Sequence, residues 1–241
     1  MRAQNLINDG SFETPYVTNA TKVDYPTNMG LWQTTATNFE IWTNGWENSA
    51  AGVGPCYSAD GAQNLEIISA GVTNAIVWQT VPTVGGERYC FRFYCSPRSK
   101  SSSDLFVVSV NSNDILSRVE DGAGLTNFSW RLFTTNFVAI SNLTTLAFSD
   151  LSLSNGGSGT HIDGVFLEHI PWLTIQTGAD GGLAVSWFGV SSEIYQLQYR
   201  TDLVAGSWNN VGSAVTGNNL IISIPVDMDV PQAFYRVVTG P

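Results

Sequence analysis

Short segments in which apolar and polar residues alternate constrain the fold of this chain more than any other feature of its sequence. No segment carries a sustained apolar stripe at the 3.6-residue spacing of a helix. Segments of period two recur instead, separated by turn residues such as Gly85-Gly86, Asp121-Gly122 and Asn155-Gly156-Gly157. The pattern predicts an all-β protein made of short strands.

Eight strands are predicted in the first two thirds of the chain. They are residues 39–42, 64–68, 75–81, 88–96, 105–111, 129–137, 144–151 and 161–168. Their spacing is typical of a two-sheet jelly-roll β-sandwich. The polar segment before residue 38 and residues 45–55 are predicted to be long exposed loops, which in compact domains tend to be functional.

The strand pattern restarts after Ile170-Pro171. Proline cannot continue a strand ladder, and six further short strands are predicted, at residues 172–177, 183–188, 195–201, 208–212, 220–226 and 233–238. A chain of 241 residues is long enough for two cores. We therefore expect a jelly-roll domain over residues 1–170 and a small immunoglobulin-like or fibronectin-like β-sandwich over residues 171–241.

The charge balance disfavours partners that select for clustered positive charge. The chain has 10 Lys and Arg against 20 Asp and Glu, a formal net charge of −10 and a pI of about 4.4. Nucleic acids and anionic membrane surfaces both attract basic patches, and no apolar run is long enough to predict membrane insertion. Neutral sugars or cations such as Ca²⁺ are the expected partners. Low Lys content with abundant Asn, Thr and Ser favours a secreted or cell-surface protein.

Three cysteines cannot all pair within one chain. Cys90 and Cys95 share one predicted strand, and their separation of roughly 16 Å along it is too large for a mutual bridge. Cys56 can therefore pair with one of them at most. We favour a Cys56–Cys90 disulfide with Cys95 as a buried thiol.

Three motifs, in this order, carry a resemblance to a known family. They are Asn5-Leu6-Ile7-Asn8-Asp9-Gly10-Ser11-Phe12-Glu13, Ala59-Asp60-Gly61-Ala62-Gln63-Asn64-Leu65-Glu66 and His161-Ile162-Asp163-Gly164-Val165. Together they resemble the galactose-binding-like jelly rolls, which include several families of carbohydrate-binding modules and the cell-wall domains of the DUF642 type. The C-terminal segment 195–203, with Trp208 and residues 234–237, resembles small sandwich domains appended to exported bacterial proteins, where they act as spacers or adaptors.

The resemblance implies a structural Ca²⁺ ion. In these jelly rolls an N-terminal Glu and a last-strand Asp lie side by side and hold the ion together with backbone oxygens, and Glu13 and Asp163 match those positions. Ca²⁺ prefers several oxygen ligands, and the predicted set is Asp9, Glu13, Asp60, Asn64 and Asp163. Turn capping explains Asp9 and Asp60 equally well. We expect the opening stretch 5–13 to close the sandwich rather than to touch a ligand.

Aromatic residues in or beside the two long loops are candidates for carbohydrate binding. Sugar rings stack on aromatic faces, and their hydroxyls bind amides, carboxylates and arginines. The predicted ligand-binding residues are Trp32, Trp42, Trp46, Tyr57, Arg92 and Tyr94. A tryptophan in a β-sandwich is more often buried than exposed, and for this reason we assign Trp78, Trp130 and Trp187 to cores.

Catalysis has little support in the sequence. The two histidines, His161 and His169, accompany no recognisable hydrolase motif, although Glu40 and Glu66 are a possible glycosidase pair. The favoured function is non-catalytic binding of a polysaccharide. The alternatives are a structural or adhesive protein that assembles with copies of itself through exposed strand edges and, third, a glycan-cleaving enzyme.

Overall fold

The computed structural model describes residues 5–26, 29–68, 74–99, 104–151, 159–177, 181–226 and 231–240. These residues form β-strands, a 3-10 turn at Ser49–Ala51 and no helix long and apolar enough to cross a membrane. The strands are β1 (Lys22–Pro26), β2 (Gln33–Thr34), β3 (Asn38–Thr43), β4 (Gln63–Glu66), β5 (Ala75–Pro82), β6 (Arg88–Ser96), β7 (Asp104–Val110), β8 (Asn113–Glu120), β9 (Arg131–Val138), β10 (Leu143–Asp150), β11 (His161–Ile170), β12 (Thr174–Thr177), β13 (Leu183–Gly189), β14 (Ile194–Arg200), β15 (Asn209–Asn210), β16 (Val215–Thr216), β17 (Leu220–Val226) and β18 (Phe234–Thr239).

Strands β1 to β11 form two antiparallel sheets that pack face to face. Six strands lie in the order β1-β3-β4-β11-β6-β9 and five in the order β2-β5-β10-β7-β8. From β4 onward the chain crosses between the sheets at every step except the β7–β8 hairpin and ends in β11, which is jelly-roll connectivity. Phe93 links the sheets, with its ring 5.0 Å from Phe148 and 6.2 Å from Phe106. The all-β jelly-roll prediction is confirmed.

Alternation along β6 shows why this strand is central. Phe91 and Phe93 are buried in the core, whereas Arg92 and Tyr94 point to the other face of the sheet. Paired residues of neighbouring strands lie on the same face. The registers of β9 and β11 against β6 therefore determine which residues accompany Arg92 and Tyr94.

A bulge reverses the faces of β11. The register of β11 shifts between Asp163 and Phe166, and Gly164 adopts a φ of +54°, in the left-handed region that favours glycine. Asp163 lies on the outer face opposite Tyr94, and beyond the bulge Phe166 and Glu168 lie on that same face. Unbroken alternation would have placed Phe166 and Glu168 in the core.

The opening stretch runs along β11. The Leu6 N–H donates to the Leu167 carbonyl at 2.8 Å, and the Val165 N–H donates to the Gly10 carbonyl at 2.8 Å. Gly10 has no room for a side chain, because a Cβ would lie 2.0 Å from the Val165 oxygen. The two ends of the larger sandwich are therefore adjacent, as the resemblance leads one to expect.

Residues beyond 172 form two small antiparallel sheets around a second core. Strands β12, β13 and β17 make one sheet, and β14 pairs with β15, β16 and β18 in the other. Their core contains Val185, Trp187, Tyr195, Leu197 and Ile222, which confirms the assignment of Trp187. The boundary at residue 170 and the immunoglobulin-like or fibronectin-like type of this unit remain predictions.

Several strands are missing from the sequence prediction. Strands β1 and β2 lie within the segment predicted to be a loop, and β16 is only two residues long. Strand β8 follows β7 through Asn111 and Ser112, whose φ angles of 49° and 65° make a two-residue hairpin turn. Apolar and polar residues alternate only weakly along β8, so the period-two pattern does not predict this strand.

Two tryptophans assigned to the core lie at the surface instead. Trp78 is half-buried on the outer face of β5, where alternation buries Val77 and Gln79 on the opposite side. Trp130 is half-buried outside the core clusters of the described residues, and its Nε1 donates to the Tyr57 carbonyl at 2.7 Å. The core assignment is wrong for both, because the strand parity and the local turn, rather than residue type, set their orientation.

All three cysteines are free thiols. Cys56 is buried beneath the loop that follows β3, and Cys90 lies on the outer face of β6. The predicted Cys56–Cys90 disulfide is therefore wrong. Cys95 is buried as predicted, and burial raises the pKa of its thiol to about 12.

Candidate functional site

The outer face of the six-stranded sheet brings several of the predicted site residues together, in two halves that differ in their exposure. One half lies beneath the loop 44–58, and we call it the covered half. It consists of Glu40, Trp42, Asn64, Glu66 and His161. The other faces solvent, and we call it the open half. It consists of Arg92, Tyr94, Thr134, Phe166 and Glu168.

An apolar cluster closes the covered half. Trp42 is fully buried with Val53 and Cys56, and Trp46 and Phe128 pack against them. The Trp42 ring lies 4.0 Å from that of Trp46 and 5.7 Å from that of Phe128. Trp42 cannot stack against a ligand that arrives from solvent, so its prediction as a binding residue is wrong.

Glu40 and Glu66 lie opposite each other on β3 and β4, and both are fully buried. Burial raises the pKa of Glu66 well above its usual range, and the neighbouring Glu40 adds to the shift. Burial acts in the same sense on Glu40, but hydrogen bonds from Glu66, Lys22 and Trp42 outweigh it and lower its pKa. The two shifts run in opposite directions, so Glu66 keeps its proton to a higher pH than Glu40 does. Glu40 Oε2 receives no hydrogen bond from the described residues.

Two cations at the rim complete this network. Lys22 Nζ lies 2.8 Å from Glu40 Oε1, and Arg98 Nη1 lies 3.0 and 3.2 Å from the two Glu66 oxygens. The Trp42 Nε1–H donates to Glu40 Oε1 at 2.6 Å. Buried charges are tolerated only when they are paired and hydrogen-bonded. The network thus explains how one sheet face accommodates two buried carboxyl groups.

The same geometry bears on the possible glycosidase pair. Glycosidases separate their two carboxyl groups by about 5 to 9.5 Å, so that the glycosidic bond, and in inverting enzymes a water, fits between them. Glu40 and Glu66 are paired residues on adjacent strands, and both are closed off from solvent. This arrangement gives a glycosidic bond no access to the pair.

His161 belongs to the covered half as well. Its Nδ1 lies 2.8 Å from Asn64 Oδ1, and its ring lies 4.7 Å from that of Trp42 and 4.5 Å from that of Phe128. Burial lowers the pKa of His161 well below its usual range, and the positive charge of Arg98 adds to this effect. His161 is therefore neutral, and Asn64 is engaged by it rather than by the residues near Glu13.

Glu13 and Asp163, the two residues matched to a calcium site, hold the same turn at residues 59–63. Glu13 Oε1 accepts two backbone N–H groups of this turn at 2.6 and 2.8 Å, and Asp163 Oδ2 accepts two others at 2.8 Å each. Asp9 Oδ1 caps its own turn by accepting the Glu13 N–H at 2.8 Å. Within the described ranges, no three His, Cys, Asp or Glu side chains are placed to hold a metal ion. The residues present therefore do not fit the predicted five-residue site as a set.

Asp163 nevertheless has no cationic partner among the described residues. The side chain is fully buried, and burial raises its pKa to about 8 despite N–H groups from Asp60, Gly164 and Ala59 that act in the opposite sense. The structural calcium ion stays a prediction that rests on Asp163 and its surroundings.

The open half presents aromatic and hydrogen-bonding groups to solvent. The Arg92 guanidinium lies 4.0 Å from the centroid of the Phe166 ring, and its Nη1 lies 3.3 Å from Glu168 Oε1. The side chains of Arg92 and Glu168 are 38% and 22% exposed, Tyr94 and Phe166 are half-buried, and Thr134 is exposed. The structure therefore places Arg92 and Tyr94 on the solvent side of the sheet, as predicted from strand parity.

Further aromatic residues adjoin the open half. Tyr57 is 61% exposed, Trp46 is half-buried, and Trp130 reaches the backbone of Tyr57. Trp130 lies two residues before Leu132, which pairs with Tyr94. Trp46 and Tyr57 are thus accessible in part, as a role in binding requires.

Trp32 does not belong to this face. Its side chain is 1% exposed and packs in the core, 5.2 Å from the ring of Phe12 and 6.3 Å from that of Phe148. The Trp32 Nε1–H donates to the Asp9 carbonyl at 3.0 Å, which fastens the opening stretch to the core. The prediction of Trp32 as a binding residue is wrong, because the segment that contains it folds back onto the sandwich.

Six residues of the two halves and their rim were missing from the sequence prediction. They are Lys22, Arg98, Phe128, Thr134, Phe166 and Glu168. Phe166 and Glu168 could have been found only from the glycine that follows Asp163, since a glycine inside a strand indicates a possible bulge. Thr134 lies within β9, and the other three lie in or beside segments between strands; none of the four carries a recognisable pattern.

Comparison with known proteins gives likenesses of fold only. No protein-family model and no curated protein matches this chain. A family 61 carbohydrate-binding module in complex with β-1,4-galactotriose is 12% identical, with a TM-score of 0.44 over 69% of this chain and 99% of that one. A cleaved adhesin domain of Lys-gingipain from Porphyromonas gingivalis is 14% identical, with a TM-score of 0.42 over 61% and 98%. The family 22 xylan-binding domain from a Paenibacillus barcinonensis protein is 8% identical, with a TM-score of 0.40 over 64% and 97%. Similarity at this level extends to no site residue.

Proposed function

We propose that this protein is a non-catalytic carbohydrate-binding protein that holds a polysaccharide on the open half of its outer sheet face. The observation that carries the proposal is the presentation of Tyr94 and Phe166 beside Arg92 and Glu168 on one solvent-facing surface. Aromatic rings accept the C–H faces of sugars, and the charged pair offers donors and acceptors to their hydroxyls.

The chemistry of the open half favours a neutral, extended ligand. Arg92 and Glu168 pair with each other, so the surface has no net charge with which to select an ion. Thr134, Arg92 and Phe166 lie on three adjacent strands, which together span about 10 Å at the usual strand spacing. A flat surface of this width suits several units of a chain better than one small molecule.

Binding should be measured first with the intact protein on a glycan array and in pull-downs with insoluble polysaccharides. We expect Arg92→Ala and Tyr94→Ala each to weaken binding about tenfold or more, the equivalent of about 1.4 kcal/mol. Trp78→Ala is the matched control, since Trp78 is a half-buried aromatic on the outer face of the other sheet. The proposal fails if the intact protein binds no glycan, or if both open-half variants bind as tightly as Trp78→Ala.

We also propose that the protein is exported and that the small sandwich serves as a spacer or docking unit. The low Lys content, the acidic charge and the abundance of polar uncharged residues support export. Antibody detection in fractions of the native host tests it, because recovery from the cytoplasm alone contradicts export.

Self-association is the second candidate function, and the edge of the six-stranded sheet favours it. Within the described residues β9 pairs with β6 and with no strand on its other side. Leu132 and Val138 on β9 are 55% and 51% exposed, and an exposed apolar edge strand is a template for pairing with another chain. Light scattering tests this role: oligomers that Leu132→Lys and Val138→Lys dissociate support it, and a concentration-independent monomer excludes it.

A further inference from the structure

We infer that the cleft between the two sandwiches is a second carbohydrate site, which accepts one or two neutral sugar units. The cleft has a volume of about 400 Å³ and is lined from both sides. Glu87 and Arg88 contribute from the start of β6, and Trp172, Gln176 and Trp187 contribute from the C-terminal unit. The volume lies in the range typical of small-ligand sites. The assignment of the ligand class rests on the proposed function.

Trp172 provides an exposed aromatic surface in this cleft. Its side chain is 51% exposed, although it is large and apolar. The Arg88 guanidinium lies 3.7 Å from the ring centroid and holds the indole in place by a cation–π contact. A fixed and accessible indole is suited to stack against a sugar ring.

Trp187 supplies a buried hydrogen-bond donor at the same place. The residue lines the cleft and is 2% exposed, and its Nε1–H has no acceptor among the described residues. Buried donors without an acceptor are rare in folded proteins. A ligand hydroxyl in the cleft is an acceptor of the required kind.

The polar groups that line the rest of the cleft carry no net charge. Glu87 and Arg88 carry opposite charges, and Gln176 offers an exposed amide. Thr174 Oγ1 donates to the Ser186 carbonyl at 3.3 Å, and this contact fixes β12 against β13. Such a surface selects neither an anion nor a cation, and a compound with many hydroxyl groups matches its aromatic, amide and N–H groups best.

The two walls of the cleft are joined by a buried contact. His169 is 3% exposed, and its Nε2 lies 3.1 Å from Glu87 Oε2 of the larger sandwich. Its Nδ1 lies 3.6 Å from Glu193 Oε2, and the Tyr195 hydroxyl donates to the same Glu193 oxygen at 2.7 Å. Because these contacts hold the walls before a ligand arrives, binding costs little ordering of the site.

The test follows the indole N–H signals of the eight tryptophans by NMR in the full-length protein. The probes are the neutral disaccharides cellobiose, xylobiose and β-1,4-galactobiose, each titrated to its solubility limit. Signals of Trp172 and Trp187 are assigned from Trp172→Ala and Trp187→Phe. We expect at least one probe to shift both signals, and we expect the Trp187 shift to be lost in Trp172→Ala and at least halved in Gln176→Ala.

Arg92→Ala separates this site from the open half. If both cleft signals still shift in Arg92→Ala, the cleft binds sugar independently. If intact protein binds glycan through the open half while neither cleft signal moves with any probe, the inference is overturned and the proposed function stands. If no probe moves the cleft signals and the array and pull-downs are also negative, both are overturned. Unchanged far-ultraviolet circular dichroism and an unchanged melting temperature of Trp172→Ala verify that its surface substitution leaves the fold intact.

Discussion

The covered and open halves belong to one face of one sheet, yet one buries its polar groups and the other exposes them to solvent. In the covered half Glu40, Glu66 and His161 are fully buried. Glu40 contacts Lys22 and Trp42, Glu66 contacts Arg98, and His161 contacts Asn64. In the open half Arg92 and Glu168 form a similar pair that remains exposed to solvent. The difference comes from the loop 44–58 and Phe128, which cover the first half and leave the second half open.

The comparison indicates that stability and ligand binding depend on different residues of the same sheet face. Burial makes charges costly unless they are paired, and it makes the apolar residues above them valuable for stability. Groups at the surface contribute little to stability but stay available to a ligand. The covered half is therefore expected to stabilise the sandwich, and the open half is expected to bind.

Replacing Trp42 with Ala should have the largest effect on stability. The substitution leaves a cavity among Trp46, Phe128 and His161 and removes a hydrogen bond to Glu40. The free energy of unfolding should fall by about 3 to 5 kcal/mol, the range for a buried aromatic residue. Chemical denaturation measures it, with Trp78→Ala as the matched control. Equal losses in the two variants would remove the distinction between a covered and an uncovered tryptophan.

The predicted calcium site lies where the two halves meet, at Asp163 opposite Tyr94. If Ca²⁺ binds there, a hundredfold excess over its dissociation constant should stabilise the fold by about 2.7 kcal/mol, and EDTA should reverse this in thermal denaturation. Asp163→Asn should abolish the effect. Asp121→Asn should retain it, since Asp121 only caps an exposed turn. An unchanged melting temperature together with no heat of Ca²⁺ binding rejects the site.

The opposite pKa shifts of Glu66 and Glu40 should make stability depend on pH. Because the folded pKa of Glu66 is raised by burial and by Glu40, its contribution is complete below its unfolded pKa of about 4.3 and is lost as the pH rises towards the folded pKa. The lowered pKa of Glu40 acts in the opposite sense, and its contribution is lost as the pH falls below the unfolded value. One proton corresponds to a slope of about 1.4 kcal/mol per pH unit.

Glu66→Gln should remove the first of these dependences. The amide keeps a donor towards Glu40 but does not ionise, so the unfolding free energy of the variant should stay flatter than that of the wild type as the pH rises above about 4.3. Glu168→Gln in the open half is the matched control and should follow the wild-type profile. Parallel profiles for the wild type and Glu66→Gln would contradict the assignment of the proton to Glu66.

Arg92→Ala should have the smallest effect on stability. Its ion pair with Glu168 is exposed, so the loss should stay below about 1 kcal/mol. Arg98→Ala removes the hydrogen bonds to a fully buried carboxyl group whose pKa is raised and should cost about 1 to 3 kcal/mol. Denaturation of both variants sharpens the comparison, because similar losses would mean that the two halves do not differ in their dependence on ion pairs.

The sequence predicts the strands of the larger sandwich well where alternation is strong. In β6 the apolar and polar positions separate cleanly, and strand parity correctly places Arg92 and Tyr94 on the outer face. Prediction fails where the period is broken. The bulge at Gly164 moves Phe166 and Glu168 to the outer face, and a pattern of period two contains no sign of that reversal beyond the glycine itself.

The tryptophans show most clearly why the site residues could not all be predicted from the sequence. Trp32 and Trp42 are buried, whereas Trp78 and Trp130 lie partly at the surface, in each case against the prediction. Residue type gives only an average tendency towards burial. The burial of a given indole depends on which distant segment packs over it, as Phe128 does over Trp42.

The sequence by itself determined an all-β chain, a jelly-roll class and the adjacency of the opening stretch and the last strand of the larger sandwich. The all-β class follows from local alternation and turn residues, whereas the jelly-roll class and the adjacency are what the family resemblance of the three ordered motifs implies. The tertiary structure decided which half of the sheet face is covered, that Glu40 and Glu66 are buried opposite each other in a closed network, and that a cleft forms beside Trp172. Each of these depends on contacts between residues far apart in the chain, and the packing of such contacts is not encoded in any local pattern.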